Sequence, residues 1–137
     1  MKRLFVLFVL VLPLVLTACG SAITVDQAKA TADEFFTYIS EGKYNEAEAL
    51  LHPDIVIGSG LKDQFEQFAT IAGVDLSKGI VFRYTGFESS VYDSEYGGAH
   101  FDFDGTVEID GRIFEAEIEF IKRDNIYGIY NFDIDID

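Results

Sequence analysis

Tryptophan is absent from this sequence, cysteine occurs once and proline twice, and Lys+Arg total 10 against 24 Asp+Glu. A single thiol excludes an internal disulfide framework and a zinc site built from several thiolates. A formal charge of −14 removes nucleic acid as a partner, because phosphate binding needs clustered Lys and Arg. Internal repeats, low-complexity linkers and a glycine-rich phosphate loop are missing too, and the glycines fall at helix ends and turns. What is present is a core: 49% hydrophobic residues, 15% of them aromatic as a share of the whole chain, exclude a disordered acidic tail. At 137 residues the chain has room for one domain and little more.

The longest apolar run extends from Leu4 to Leu16, behind Lys2 and Arg3. A bilayer-spanning helix needs about 20 apolar residues, so this run is too short to span and reads instead as a secretory signal. Pro13 suits its end. The residues that follow, Leu16-Thr17-Ala18-Cys19, resemble the lipobox of bacterial lipoproteins. The resemblance implies cleavage between Ala18 and Cys19, a diacylglycerol thioether on Cys19 and acylation of the new amine. An unpaired thiol in a secreted protein is otherwise a liability, and two or three acyl chains anchor stably where one is marginal.

The expected organisation is therefore a signal peptide at 1–18, a lipidated cysteine with a short tether at 19–23, and one domain at 24–137. Cleavage would leave 119 residues, remove Lys2 and Arg3 and move the charge from −14 to −16. Gly20 stands where an Asp commonly retains Gram-negative lipoproteins in the inner membrane. The expected location is the cell envelope: outer membrane or periplasm-facing in a Gram-negative cell, the outer face of the cell membrane in a Gram-positive one.

Thr24-Val25-Asp26-Gln27 forms a capping box with an acid in the first turn. Val25, Ala28, Ala32, Phe35, Phe36 and Ile39 then recur at helical spacing up to Gly42. Lys43 to Leu51 reads as a short second helix ended by Pro53. Ser59 is the expected cap of a third, with Leu61, Phe65, Phe68 and Ala72 as its stripe and Gly73 as its stop. After Gly79 the period changes to two. Phe101, Phe103, Gly105, Val107 and Ile109 alternate with polar residues, and Asp110-Gly111 offers a two-residue hairpin turn. Closing there pairs Val107 with Phe114, Gly105 with Ala116, Phe103 with Ile118 and Phe101 with Phe120. A three-residue loop around Asp124 is expected to set Ile118 against Tyr130, Ala116 against Phe132 and Phe114 against Ile134. The facing of Ile80 to Tyr92 is open. Helices first and antiparallel strands after make an α+β fold with helices covering one sheet face.

The phrase from Gly42 to Ile55, GKYNEAEALLHPDI, and the closing FIKRDNIYGIYNFDI complete a pattern. It resembles the cystatin-like α+β roll of the nuclear transport factor two-like (SnoaL-like) superfamily, and within it small bacterial lipoproteins of unknown function. The likeness covers nearly all of 24–137. One departure is Tyr127 where many relatives carry Trp. The resemblance implies three helices packed on a curved antiparallel sheet around a hydrophobic cone. It also implies either a cyclase, dehydratase or isomerase, or a binding module without chemistry, and fold alone does not choose between them.

Enzymes of this fold place an Asp or a His–Asp pair inside the cone. Here the inward phase offers Phe101, Phe103, Val107, Phe114, Ile118, Phe120, Tyr130 and Phe132, none of which abstracts a proton at neutral pH. Phe35, Phe101, Phe103, Phe120 and Tyr130 are the candidates for lining an apolar ligand pocket. His52, ahead of Pro53, reads as a cap on helix-end carbonyls, and His100 starts a strand on the outward phase. Arg83 faces either the cone or solvent. No catalytic residue and no cofactor is expected.

The outward phase is unusual. The same register sets Asp102 opposite Glu119 and Asp104 opposite Glu117, with Glu115 near Asp133 and a stripe continuing through Asp135 and Asp137. Like charges directly opposite one another destabilise a sheet. A solvated acidic face is the first reading, a surface for a basic partner the second. Calcium on Asp102, Asp104, Glu117 and Glu119 comes last, since a flat sheet seldom wraps six oxygens round an ion. The expectation is a lipid-anchored binding or accessory domain without catalysis, holding a small apolar ligand or a protein partner. The alternative is a small isomerase, dehydratase or cyclase using the cone.

Overall fold

The computed structural model of the chain describes residues 23–55, 58–93 and 97–136. The expected signal peptide, Cys19, most of the tether and Asp137 lie outside them. Three helices precede four strands. α1 spans Val25–Ser40, α2 Tyr44–Glu48 and α3 Leu61–Ala72, and a 3₁₀ turn at Leu76–Lys78 leads into the sheet. Thr24 caps α1 as its sequence predicts, its hydroxyl accepting from the Gln27 N–H at 3.2 Å.

Two expectations for the helices change. α2 is shorter than Lys43–Leu51, because residues 50–52 leave the helix to run along the sheet edge. Gly60, not Ser59, is the N-cap of α3; Ser59 contributes its carbonyl to the Gln64 side chain at 2.9 Å. The far end of α3 is held by the Arg112 guanidinium, which donates to the Ala72 carbonyl and lies over the Phe114 ring.

The strands are β1 (Ile80–Asp93), β2 (Gly98–Ile109), β3 (Arg112–Arg123) and β4 (Ile126–Ile134), an antiparallel meander in the order β1-β2-β3-β4. β2 and β3 pair in the expected register, Phe101 with Phe120, Phe103 with Ile118, Gly105 with Ala116 and Val107 with Phe114. β4 does not. Arg123 pairs with Ile126, so Asp124-Asn125 is a two-residue turn, both residues at positive φ (52° and 62°). That is the hairpin geometry for which Asn and Asp are suited when Gly is absent. It sets Ile118 against Phe132 and Ala116 against Ile134, two residues from the expected alignment. A bulge between Glu119 and Phe120 then brings Ile129 opposite Phe120.

β1 carries its own irregularity between Tyr84 and Gly86. Thr85 is the extra residue, so the alternation reverses and Tyr84 and Phe87 both come onto the inner face, opposite Gly105 and Phe103. Gly105 is required at this crossing: a Cβ there would lie 2.4 Å from the Arg83 carbonyl oxygen. Bulges and a close crossing bend the sheet around α1. Phe36 stacks on Phe82 of β1, and Phe35 meets Phe65 of α3 and Phe132 of β4. Burying side chains of this kind contributes roughly 1.5–3 kcal/mol each, which is why helices and sheet fold as one unit.

Candidate functional site

The inner face is closed by rings. Phe103 is fully buried and touches Phe82, Tyr84, Phe101 and Phe120 at centroid distances of 6.2, 5.5, 4.6 and 5.9 Å. Phe35, Phe101 and Phe120 are equally buried. Three of the five expected pocket residues, Phe101, Phe103 and Phe120, are brought together as touching rings, and Phe35 is buried in the same core against Phe36, Phe65 and Phe132. The fifth, Tyr130, is displaced by the β4 bulge, and Ile129 takes the inward place opposite Phe120. Tyr127 also faces inward: it stacks on Phe120 at 5.7 Å and its hydroxyl meets Thr31 Oγ1 at 3.2 Å. Burial pushes its phenol up to about 12.

At one margin the inner face opens. Tyr84 and Phe87 are 40% and 52% exposed although both face inward. Phe87 lies flat on buried Phe101, ring planes 9° apart, and the Lys29 ammonium sits 5.0 Å from the Tyr84 ring. This ledge escaped the sequence reading because the bulge at Thr85 breaks the period on which facing is judged. The signal was the aromatic pair itself, three residues apart in a strand.

His52 is buried at 2% exposure, yet it does not cap helix-end carbonyls. Its Nδ1 accepts from the Asp54 N–H at 3.1 Å and its backbone N–H donates to the Ile129 carbonyl at 2.7 Å. Nε2, the proton-bearing nitrogen in that arrangement, has no hydrogen-bond partner. Asp54 also receives the Arg123 guanidinium at 2.7 Å. These groups clamp the segment after α2 to β4 through Ile129 and to β3 through Arg123. Arg83 resolves to the outer face, paired with Glu108 at 3.3 Å.

The acidic residues share the outer face as the register predicts, Asp102 opposite Glu119 and Asp104 opposite Glu117. Glu117, rather than Glu115, is the neighbour of Asp133, another consequence of the β4 register. Asp104, Glu115, Glu117, Asp133 and Asp135 line an open groove of about 490 Å³ with Thr85 and Thr106. His100 Nε2 stands 3.5 Å from Glu119 Oε2. No group of three metal-ligating side chains in binding geometry occurs among the described residues. Four facing carboxylates on a pleated surface leave one side of any ion to water.

The Asp102 carboxyl is raised from 3.8 to about 6, by burial first and by Glu117, Asp104 and Glu119 after it. One of its oxygens, Oδ1, is shut off from solvent without a hydrogen-bond partner. A raised folded-state value means that the ionised form destabilises the fold above about pH 6, and that the penalty fades as pH falls toward 4. A rise from 3.8 to about 6 corresponds to about 3 kcal/mol before screening. The carboxylate stands on the outer face and is partly open to water, and screening there reduces the expected effect to about 1 kcal/mol. Asp102→Asn should therefore raise the melting temperature at pH 8 and leave it nearly unchanged at pH 4. A melt showing the variant less stable at pH 8 would reveal a favourable partner for the charge.

No protein-family model matches this sequence, and no curated protein matches it. Among solved structures, a designed NTF2-like protein, a five-substitution variant of Rd1NTF2_05, superposes with a TM-score of 0.51 at 17% identity. The match covers 80% of this chain and 98% of that one. The fold is thereby an NTF2-like α+β cone, with helices N-terminal to a curved four-stranded antiparallel sheet. Proteins of this fold bind ligands or act as enzymes.

Proposed function

We propose that this chain is a lipid-anchored cell-envelope domain that binds or assists a partner and performs no catalysis. The observation that carries the reading is that the inward positions hold buried aromatic rings, Phe35, Phe101, Phe103 and Phe120, where a catalytic relative needs a cavity and an inward acid or base. Among the described residues the titratable clusters are the acidic ladder on the outer face and the His52–Asp54–Arg123 group at the β4 edge. Support for the anchor comes from Leu16 to Cys19 and from α1 beginning at Val25, so close behind Cys19 that the domain must ride on the lipid surface. The net acidity suits a surface turned away from anionic headgroups.

Cys19→Ala is the direct test. The wild-type chain, expressed in bacteria and fed a radiolabelled or alkynyl fatty acid, should take up label and sediment with membranes. The variant should take up none and partition into the soluble envelope fraction. Equal labelling of both would remove the anchor.

A further inference from the structure

We propose that the exposed aromatic ledge of Tyr84 and Phe87, with Lys29 beside it, is the surface by which the anchored domain seats on the lipid interface. The proposal rests on the anchor reading above and adds an orientation to it.

The position of the ledge follows from how α1 crosses the sheet. Going along the helix, Lys29 meets Tyr84 and Thr31 meets Tyr127, then Phe36 meets Phe82 and Phe35 meets Phe132. α1 therefore enters at the end of the sheet that holds the β3–β4 turn and leaves toward the β2–β3 turn. The ledge lies in the middle part of β1, Tyr84 opposite Gly105 and Phe87 opposite Phe103, and Lys29, in the second turn of α1, ties it to the entering half of the helix. From Cys19 to Thr24 the backbone reaches at most about 17 Å, and from Thr24 to Lys29 the helix adds about 7 Å. Whatever covers Tyr84 and Phe87 must share that space with the acyl chains.

The chemistry of the ledge matches a headgroup boundary. Tyrosine presents an apolar ring with a polar tip, the character that enriches it at membrane–water interfaces. Phe87 is held flat against Phe101 and so offers a ring already ordered, at little further entropic cost. Lys29 supplies a cation at phosphate depth. Asp104, Glu115, Glu117, Asp133 and Asp135 line the groove on the opposite sheet face, and the acids nearest Lys29 along α1 are Asp26 and Asp33, one turn to either side of it. Both rings cover core residues, Tyr84 on Phe103 and Phe87 on Phe101, and still leave 40% and 52% of their own area exposed side by side, an apolar patch open to a partner surface.

The absence of tryptophan makes the test clean, since one introduced indole is the only one in the chain. Phe87→Trp and, separately, Ile113→Trp are prepared in the full lipidated chain and reconstituted into phosphatidylcholine vesicles brominated near the headgroup end of the acyl chains. Ile113 is 69% exposed and lies on β3 beside the β2–β3 turn, paired with Glu108 on the outer face of the sheet, opposite to the ledge. The indole at 87 should lose more than half its emission relative to unbrominated vesicles, and the one at 113 little. Tyr84→Trp serves as a second reporter should the first fold poorly, and should quench like it.

Vesicle flotation separates the two readings. A chain that does not float overturns the anchor and the seating together. A chain that floats with both indoles unquenched, or both quenched alike, keeps the anchor and overturns the seating. An indole at 87 shielded from aqueous acrylamide but indifferent to bromine would put a protein or soluble ligand on the ledge, and that also overturns the proposal.

Discussion

Replacing Phe103 by alanine is expected to be the most damaging single change in the described core. The ring is fully buried and in contact with four others, so truncation removes transfer energy and leaves a void the neighbours cannot close. Substitutions of this kind cost about 3–5 kcal/mol, a large part of the stability of a domain this size. The experiment distinguishes a filled cone from an open one. With the cone filled, Phe103→Ala should lower the urea midpoint sharply, and benzene or indole should restore part of the loss by entering the new cavity. With the cone already a ligand chamber, removing one wall would cost little, and apolar ligands would stabilise the wild-type chain as much as the variant. Chemical denaturation of both proteins, with and without benzene, decides it.

That cone was largely legible beforehand. Phe101 to Ile109 and Phe114 to Phe120 alternate without interruption, and Asp110-Gly111 admits one closure, so the β2–β3 register and its inward set follow from side-chain period alone. Legibility ended where an extra residue entered a strand. The bulge at Thr85 brings Tyr84 and Phe87 to the same face, and the bulge at Glu119/Phe120 exchanges Tyr130 for Ile129. Periodicity has no means of announcing either, because each depends on how the sheet must twist to wrap α1. The acidic ladder was legible in its pairing. Its energetics were not: burial, which a sequence does not disclose, moves Asp102 further than any single like-charged neighbour does.

The β4 edge was invisible for a different reason. There the partner is not a strand but the segment following α2, and only a glycine lets it approach. His52 N–H donates to the Ile129 carbonyl at 2.7 Å and Ile129 N–H to the Leu50 carbonyl at 3.0 Å, one parallel bridge along the edge of β4. A Cβ on Gly128 would stand 2.5 Å from the His52 nitrogen and 2.7 Å from its Cα. Those atoms are backbone and have no rotamer by which to yield, so Gly128→Ala must either push the segment off the edge or distort β4. Overpacking of this type costs about 1–3 kcal/mol, and the two hydrogen bonds at stake add to it by about 1 kcal/mol each when lost. A fall in melting temperature of roughly 4 °C per kcal/mol is expected. Hydrogen exchange gives the location: the amides of His52 and Ile129 should lose protection together, while those of Phe103 and Phe120 exchange as before. The displaced segment would carry the His52–Asp54–Arg123 clamp with it and expose the β4 edge to pairing with another chain. Wild-type melting by the variant, with His52 and Ile129 still protected, would mean that the edge is held by something other than this close approach.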